Sequence, residues 1–131
     1  MRTLTKNGST YTGRNLDHIM FPMGGIGAGM VCLEGNGSFS GVSIKHQPEI
    51  PKIVYMFASI AIKGKTPRII EGDIPEWKIF GLPNAGNGLG STNFGLPRCK
   101  ALSFTERFPF ATVKVKHPEL PIDISICGWS P

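Results

Sequence analysis

Apolar and polar residues alternate along this chain in short runs, and a sustained repeat at every third or fourth position is absent. Val113 and Val115 alternate with Lys114 and Lys116. Ile122, Ile124 and Ile126 alternate with Asp123, Ser125 and Cys127. A period of two is the signature of a strand with one buried face. Residues 39–45 and 101–107 show the same alternation. Glu34-Gly35-Asn36-Gly37-Ser38 precedes the first of these runs. Asparagine and glycine supply the positive φ that a tight hairpin needs, so a hairpin is expected there.

Residues 19–33 are apolar but carry Gly24, Gly25, Gly27 and Gly29. Each glycine costs a helix about 1 kcal/mol relative to alanine, so the run reads as a strand. On a strand, Gly25, Gly27 and Gly29 share one bare face. Such a face suits a bulge, a crowded crossing, or the approach of a neighbouring domain or ligand. Residues 53–63 are mostly apolar and rich in β-branched and aromatic types, which predicts a central strand covered on both faces. Gly64-Lys65 turns the chain, residues 68–71 return beside it, and residues 77–82 form another short element. Residues 1–17 are polar and read as an N-terminal arm. The expected fold is all-β: an antiparallel β-sandwich over residues 18–131, because alternating strands need a second layer to cover their apolar face.

Composition narrows the function. With 131 residues the chain is one domain in size, and 17 glycines and 11 prolines fit strands joined by tight turns. The net charge is +5, yet Lys63, Lys65, Arg68, Arg98, Lys100, Lys114 and Lys116 are scattered, with no basic run. This reads as a solvated surface and not as a nucleic-acid interface. Cys32, Cys99 and Cys127 are an odd number at wide spacing without a C-x-x-C pair, so no zinc site is expected. Buried free thiols fit a reducing compartment. No apolar signal opens the chain, and a cytoplasmic location is favoured. The longest apolar stretch, residues 53–62, is far short of the ~20 that a spanning helix needs.

The chemistry-bearing motifs are sparse. Residues 24–30 lack the first, third and sixth glycine spacing of a dinucleotide site, and no Walker lysine pattern exists. His18, His46 and His117 share no motif with a nucleophile. Glycoside hydrolysis with retention needs two carboxylates about 5–5.5 Å apart, and the sequence nominates no pair. Glu34, in its turn, is expected to be exposed. Glu76-Trp77 is the most suggestive acid, since a tryptophan can stack on a sugar while a carboxylate binds hydroxyls; a tryptophan that anchors the long loop to the core is the favoured reading. That loop, residues 81–97, holds five glycines, two prolines and three asparagines, Asn84 among them. Aperiodic loops of this length are commonly functional. No cofactor is implied.

Several segments then carry a resemblance. Phe21-Pro22-Met23-Gly24-Gly25-Ile26-Gly27-Ala28-Gly29-Met30-Val31, Pro75-Glu76-Trp77-Lys78-Ile79-Phe80-Gly81, Gly95-Leu96-Pro97-Arg98, Arg107-Phe108-Pro109-Phe110-Ala111 and Gly128-Trp129-Ser130-Pro131 occur in this order. The chain resembles the N-terminal domain of the non-lysosomal glucosylceramidase and β-glucosidase family, glycoside hydrolase family 116. The resemblance implies a β-sandwich, truncated here before an (α/α)6 catalytic domain that holds the nucleophile and the acid/base. It also implies a retaining parent enzyme acting on a β-glucoside or glycolipid. No catalytic residue is assigned to this chain, which alone is expected to be inactive. Gly25, Gly27, Gly29, Glu76, Trp77, Asn84 and Arg98 are the candidates for a substrate or domain interface. Two other readings stay open. One is a carbohydrate-binding module that stacks sugar on Trp77, Trp129, Tyr11 or Tyr55. The other is a structural domain that self-associates through an exposed strand edge.

Overall fold

The computed structural model describes residues 2–5, 8–25, 27–45, 47–49, 56–80 and 94–131. In chain order the strands are β1 (Arg2–Thr5), β2 (Gly8–Thr12), β3 (Met20–Met23), β4 (Met30–Glu34), β5 (Phe39–Ile44) and β6 (Gln47–Glu49). There follow β7 (Ser59–Ile60), β8 (Arg68–Ile69), the short helix α1 (Glu76–Phe80), β9 (Lys100–Arg107), β10 (Phe110–Lys116) and β11 (Ile124–Trp129). A single 3-10 turn, Gly13–Leu16, follows β2. The strands form a five-stranded sheet in the order β1-β2-β9-β10-β11, a four-stranded sheet β3-β4-β5-β6, and the pair β7-β8. Each pairing between these strands is antiparallel, and an isolated parallel bridge joins Ile69 to Arg98.

The alternation explains how the sheets stack. Ala111, Val113 and Val115 of β10 and Phe104 of β9 are buried and point to one side. Phe21 of β3 and Leu33 of β4, which stand opposite each other, supply the facing layer. Cys99 and Leu120 complete the cluster, and Tyr11, Ile124 and Ile126 pack against it. Burying each large apolar side chain contributes roughly 1.5–3 kcal/mol, and this drives the two sheets together. The all-β, sandwich-like fold is the expected one. The hairpin at Glu34–Ser38 also forms, with Glu34 N–H donating to the Ser38 carbonyl at 2.8 Å.

Three local expectations change. The glycine run is not one strand: it turns the chain between β3 and β4. Gly24, Gly27 and Gly29 all take positive φ, at 146°, 79° and 93°. A strand would need negative φ at each, so the shared bare face of Gly25, Gly27 and Gly29 does not exist. Within the apolar stretch at 53–63, the described residues, 56–63, do not form a central strand. Residues 51–55 fall outside the described residues, Met56, Phe57 and Ala58 are exposed, and only Ser59–Ile60 pairs, with β8. An apolar run reports a need for cover without naming the neighbour that supplies it.

At the N-terminus the polar arm is a hairpin. β1 pairs with β2, and β2 extends the large sheet by pairing with β9, placing Ser9 opposite Glu106 and Tyr11 opposite Phe104. Threonine and tyrosine favour strands without being conspicuously apolar, so a hydropathy pattern passes over them. The short element expected near Trp77 forms, as a helix of five residues that follows directly on Pro75.

Candidate functional site

Among the described residues, buried polar groups converge where β4 ends. Along β4 and its neighbour, Phe21 and Leu33 face the core. The alternate positions Met20, Glu34, Pro22 and Cys32 therefore share the opposite face. Glu34 is nonetheless buried, at 5% exposure. The expectation of an exposed turn residue fails because α1 is packed near it: Lys78 of α1 donates to Glu34 Oε2. Ser38 Oγ donates to the same oxygen at 2.7 Å.

Trp77, the residue before Lys78, ties α1 to the chain ahead of β3. Its indole Nε1–H donates to the Asp17 carbonyl at 2.9 Å. Its ring stacks on His18, with centroids 6.2 Å apart and planes 15° from parallel. Lys78 Nζ lies 5.4 Å from the Trp77 ring centroid, a cation–π distance. The indole remains 41% exposed.

A second buried acid sits beside this cluster. Glu71 is 3% exposed and accepts from Arg98 Nη1 at 2.7 Å. The same Nη1 reaches the Gly72 carbonyl at 3.2 Å. Burial raises the Glu71 carboxyl above the usual range, more than the Arg98 hydrogen bond and charge lower it; Glu34 raises it further, and Lys78 opposes. Asn36 links the two halves: its side-chain amide donates to the Asp73 carbonyl at 3.2 Å, and its own carbonyl accepts from Gly72 N–H at 2.7 Å. Both buried carboxylates are thus committed to cations of this chain. The arrangement is a clasp that holds residues 71–78 against the β4–β5 hairpin. A proton-donating acid poised over a sugar would need an open approach that neither carboxylate has.

The predicted site residues are not brought together. Glu76 and Trp77 lie on α1, and Arg98 lies beside it through Glu71. Arg98 is no surface group, since its side chain is only 8% exposed. Gly25, Gly27 and Gly29 occupy the other end of β4. There Gly25 approaches Pro131 at 3.8 Å from an ideal Cβ position, and Gly128 abuts Met23 and Leu33. Asn84 and Tyr55 fall outside the described residues. Tyr11 packs against the core, and Trp129 is 58% exposed on β11. Glu34, Lys78 and Glu71 are the residues that the pattern passed over. The only signal for them is that Glu34 alternates with the inward-facing Leu33, which places it under whatever covers that face.

The thiols divide. Cys32 and Cys99 are buried and Cys127 is exposed, and all three are free. Burial pushes the Cys32 thiol up, helped by Glu34; burial also raises Cys99, with Arg68 opposing. Among the described residues no group of three or more His, Cys, Asp or Glu is placed to hold a metal. No described helix is long and apolar enough to cross a membrane.

The family model for the N-terminal domain of glycosyl-hydrolase family 116, described as beta-glucosidase 2, matches residues 20–131. The chain belongs to this family. The match takes in every element from β3 to β11, both halves of the Glu34–Glu71 clasp included. Among curated proteins none matches the chain. As a family-116 N-terminal domain, this sandwich is one part of a β-glucosidase-type hydrolase whose catalytic domain is a further unit.

Proposed function

We propose that this sandwich braces the (α/α)6 catalytic domain of a retaining β-glucosidase of the glucosylceramidase type, and lines one edge of its substrate cleft. The parent enzyme would act on a β-glucoside or a glycolipid. The observation that carries this reading is the match to the family's N-terminal domain over residues 20–131, and the surface assigned to the catalytic domain is formed by the exposed large apolar side chains of residues 56–96: Met56, Phe57, Trp77, Ile79 and Leu96. The clasp gives that surface a fixed base, since Lys78 and Trp77 anchor α1 at both of its neighbours.

On this reading the chain alone hydrolyses no aryl β-glucoside. Mixed with a family-116 catalytic domain, it forms a complex in which the tryptophan emission of Trp77 shifts on burial. Turnover by the isolated chain would overturn the division of labour. A complex whose strength is unaffected by Trp77→Ala combined with Ile79→Ser would overturn the assignment of the surface.

A further inference from the structure

A different face of the molecule has the chemistry of a sugar platform. On β10 the inward side chains are Ala111, Val113 and Val115, so Phe110, Thr112, Lys114 and Lys116 point outward from the large sheet. Residues directly opposite on neighbouring strands share a face. Register therefore builds outward rows across the sheet. One row is Arg107, Phe110 and Trp129; the next is Thr10, Thr105, Thr112 and Cys127; a third is Thr12, Ser103, Lys114 and Ser125.

The first row presents two aromatic residues to solvent as cross-strand neighbours, Phe110 at 50% exposure and Trp129 at 58%. The second row is neutral and hydroxylic. Thr10 and Thr105 share a hydrogen bond at 3.0 Å, and Thr112 Oγ1 lies 3.7 Å from Cys127 Sγ. Consecutive rows are about 7 Å apart, two residues of strand rise. Three rows thus span about 14 Å, room for a few pyranose rings.

We infer that the outward face of the β2-β9-β10-β11 sheet binds a β-linked gluco-oligosaccharide, with Trp129 and Phe110 as the stacking platform and the Thr105–Thr112 row as the hydroxyl partner. A pyranose ring in a β-linked chain presents flat C–H faces that cover an exposed aromatic ring and displace its water. Its edge carries hydroxyls, each both donor and acceptor, which a threonine hydroxyl matches in both senses. β-linked glucose units run as an extended ribbon whose successive rings can follow the rows spaced along the strands; α-linked units coil away from such a surface. A nucleic acid fits less well. Arg107 stands in the aromatic row and Lys114 two rows away, with the neutral threonine row between them and Lys116 paired with Asp123 at 3.5 Å, so the cations of this face are separated and form no continuous track along a phosphate backbone. This inference uses a different surface from the one assigned to the catalytic domain and stands without it.

The test is titration of the 131-residue chain with cellotetraose, followed by tryptophan emission and calorimetry. Saturable binding is expected, retained in Trp77→Phe. Trp129→Ala and Phe110→Ala should each weaken it about tenfold, the value of one aromatic contact. Thr112→Val, which keeps the strand shape, should weaken it severalfold while the circular dichroism is unchanged, and it serves as the arbiter if either aromatic variant folds poorly. Absence of binding at millimolar cellotetraose would overturn the inference. So would equal binding of maltotetraose, displacement of the sugar by oligothymidylate, or full affinity in both Trp129→Ala and Thr112→Val.

Discussion

Lys78 and Glu34 meet across a separation of 44 residues, the cation from α1 and the carboxylate from the last position of β4. Lys78 is itself largely covered, so the pair is enclosed. Removing one partner of such a pair leaves a charge without compensation, at a cost of about 3–5 kcal/mol when buried. Lys78→Met should therefore lower the unfolding free energy by about 3 kcal/mol, read from urea denaturation at neutral pH. The double variant Lys78→Met/Glu34→Gln should recover much of that loss, since no lone charge is then left inside.

Trp77 contributes a single, separable hydrogen bond. Trp77→Phe keeps an aromatic ring beside His18 and deletes the donor to the Asp17 carbonyl. The expected loss is about 1 kcal/mol. Hydrogen exchange should show faster amide exchange at α1 without a change in β10.

The glycine turn offers a graded series. Gly25 meets only Pro131 near an ideal Cβ, so Gly25→Ala should be close to neutral. Gly27 has open space but φ +79°, and alanine there should cost about 1–2 kcal/mol from backbone strain alone. Gly29 combines φ +93° with the Ser43 carbonyl oxygen 2.5 Å from the added carbon. Gly29→Ala should exceed both, and thermal melts of the three variants should rank in this order.

Acid acts on two carboxylates in opposite directions. Glu71 has a raised carboxyl in the folded state, chiefly through burial. The folded protein takes up this proton before the unfolded chain does, so stability rises as the pH falls through the raised value toward 4.5. Glu119 is held low, first by the hydrogen bond from Arg68 and then by its charge. Its contribution is present above 4.5 and is lost as the pH falls through the lowered value. Urea midpoints measured from pH 7 to pH 3 should reveal both limbs. Glu71→Gln should flatten the upper limb and Arg68→Gln the lower one.

The large sheet was legible where one face is plainly apolar. Val113 and Val115 against Lys114 and Lys116 define β10, and Ile124 and Ile126 define the inner side of β11. The hairpin at Asn36-Gly37 was legible from its turn residues. The glycine-rich run was not, because residues 24–29 look the same in a strand with a bare face as in a turn; only the sign of φ separates them. β1 and β2 were hidden because the threonines at 10 and 12 carry little hydropathy. The clasp was hidden for a different reason. Glu34, Glu71, Lys78 and Arg98 are ordinary surface types in sequence, and only the fold of residues 71–78 over β4 makes them interior. Of the interface candidates, Trp77 could be named from its aromatic character, whereas the burial of Arg98 depends on Glu71, to which no sequence motif points.

The hydrogen bond between Thr10 and Thr105 joins positions 95 residues apart. A pairing so distant cannot form early, because closure of the intervening chain has to precede it. During synthesis on the ribosome, β1 and β2 emerge first and wait, since β9 has not yet been made. The β3–β6 sheet can form in that interval, but its apolar side, bearing Phe21 and Leu33, stays uncovered until β9 and β10 arrive. For the nascent protein this is the period of greatest exposure to aggregation. The last third of the chain therefore decides not only the final sheet order but also when the earlier two thirds become safe.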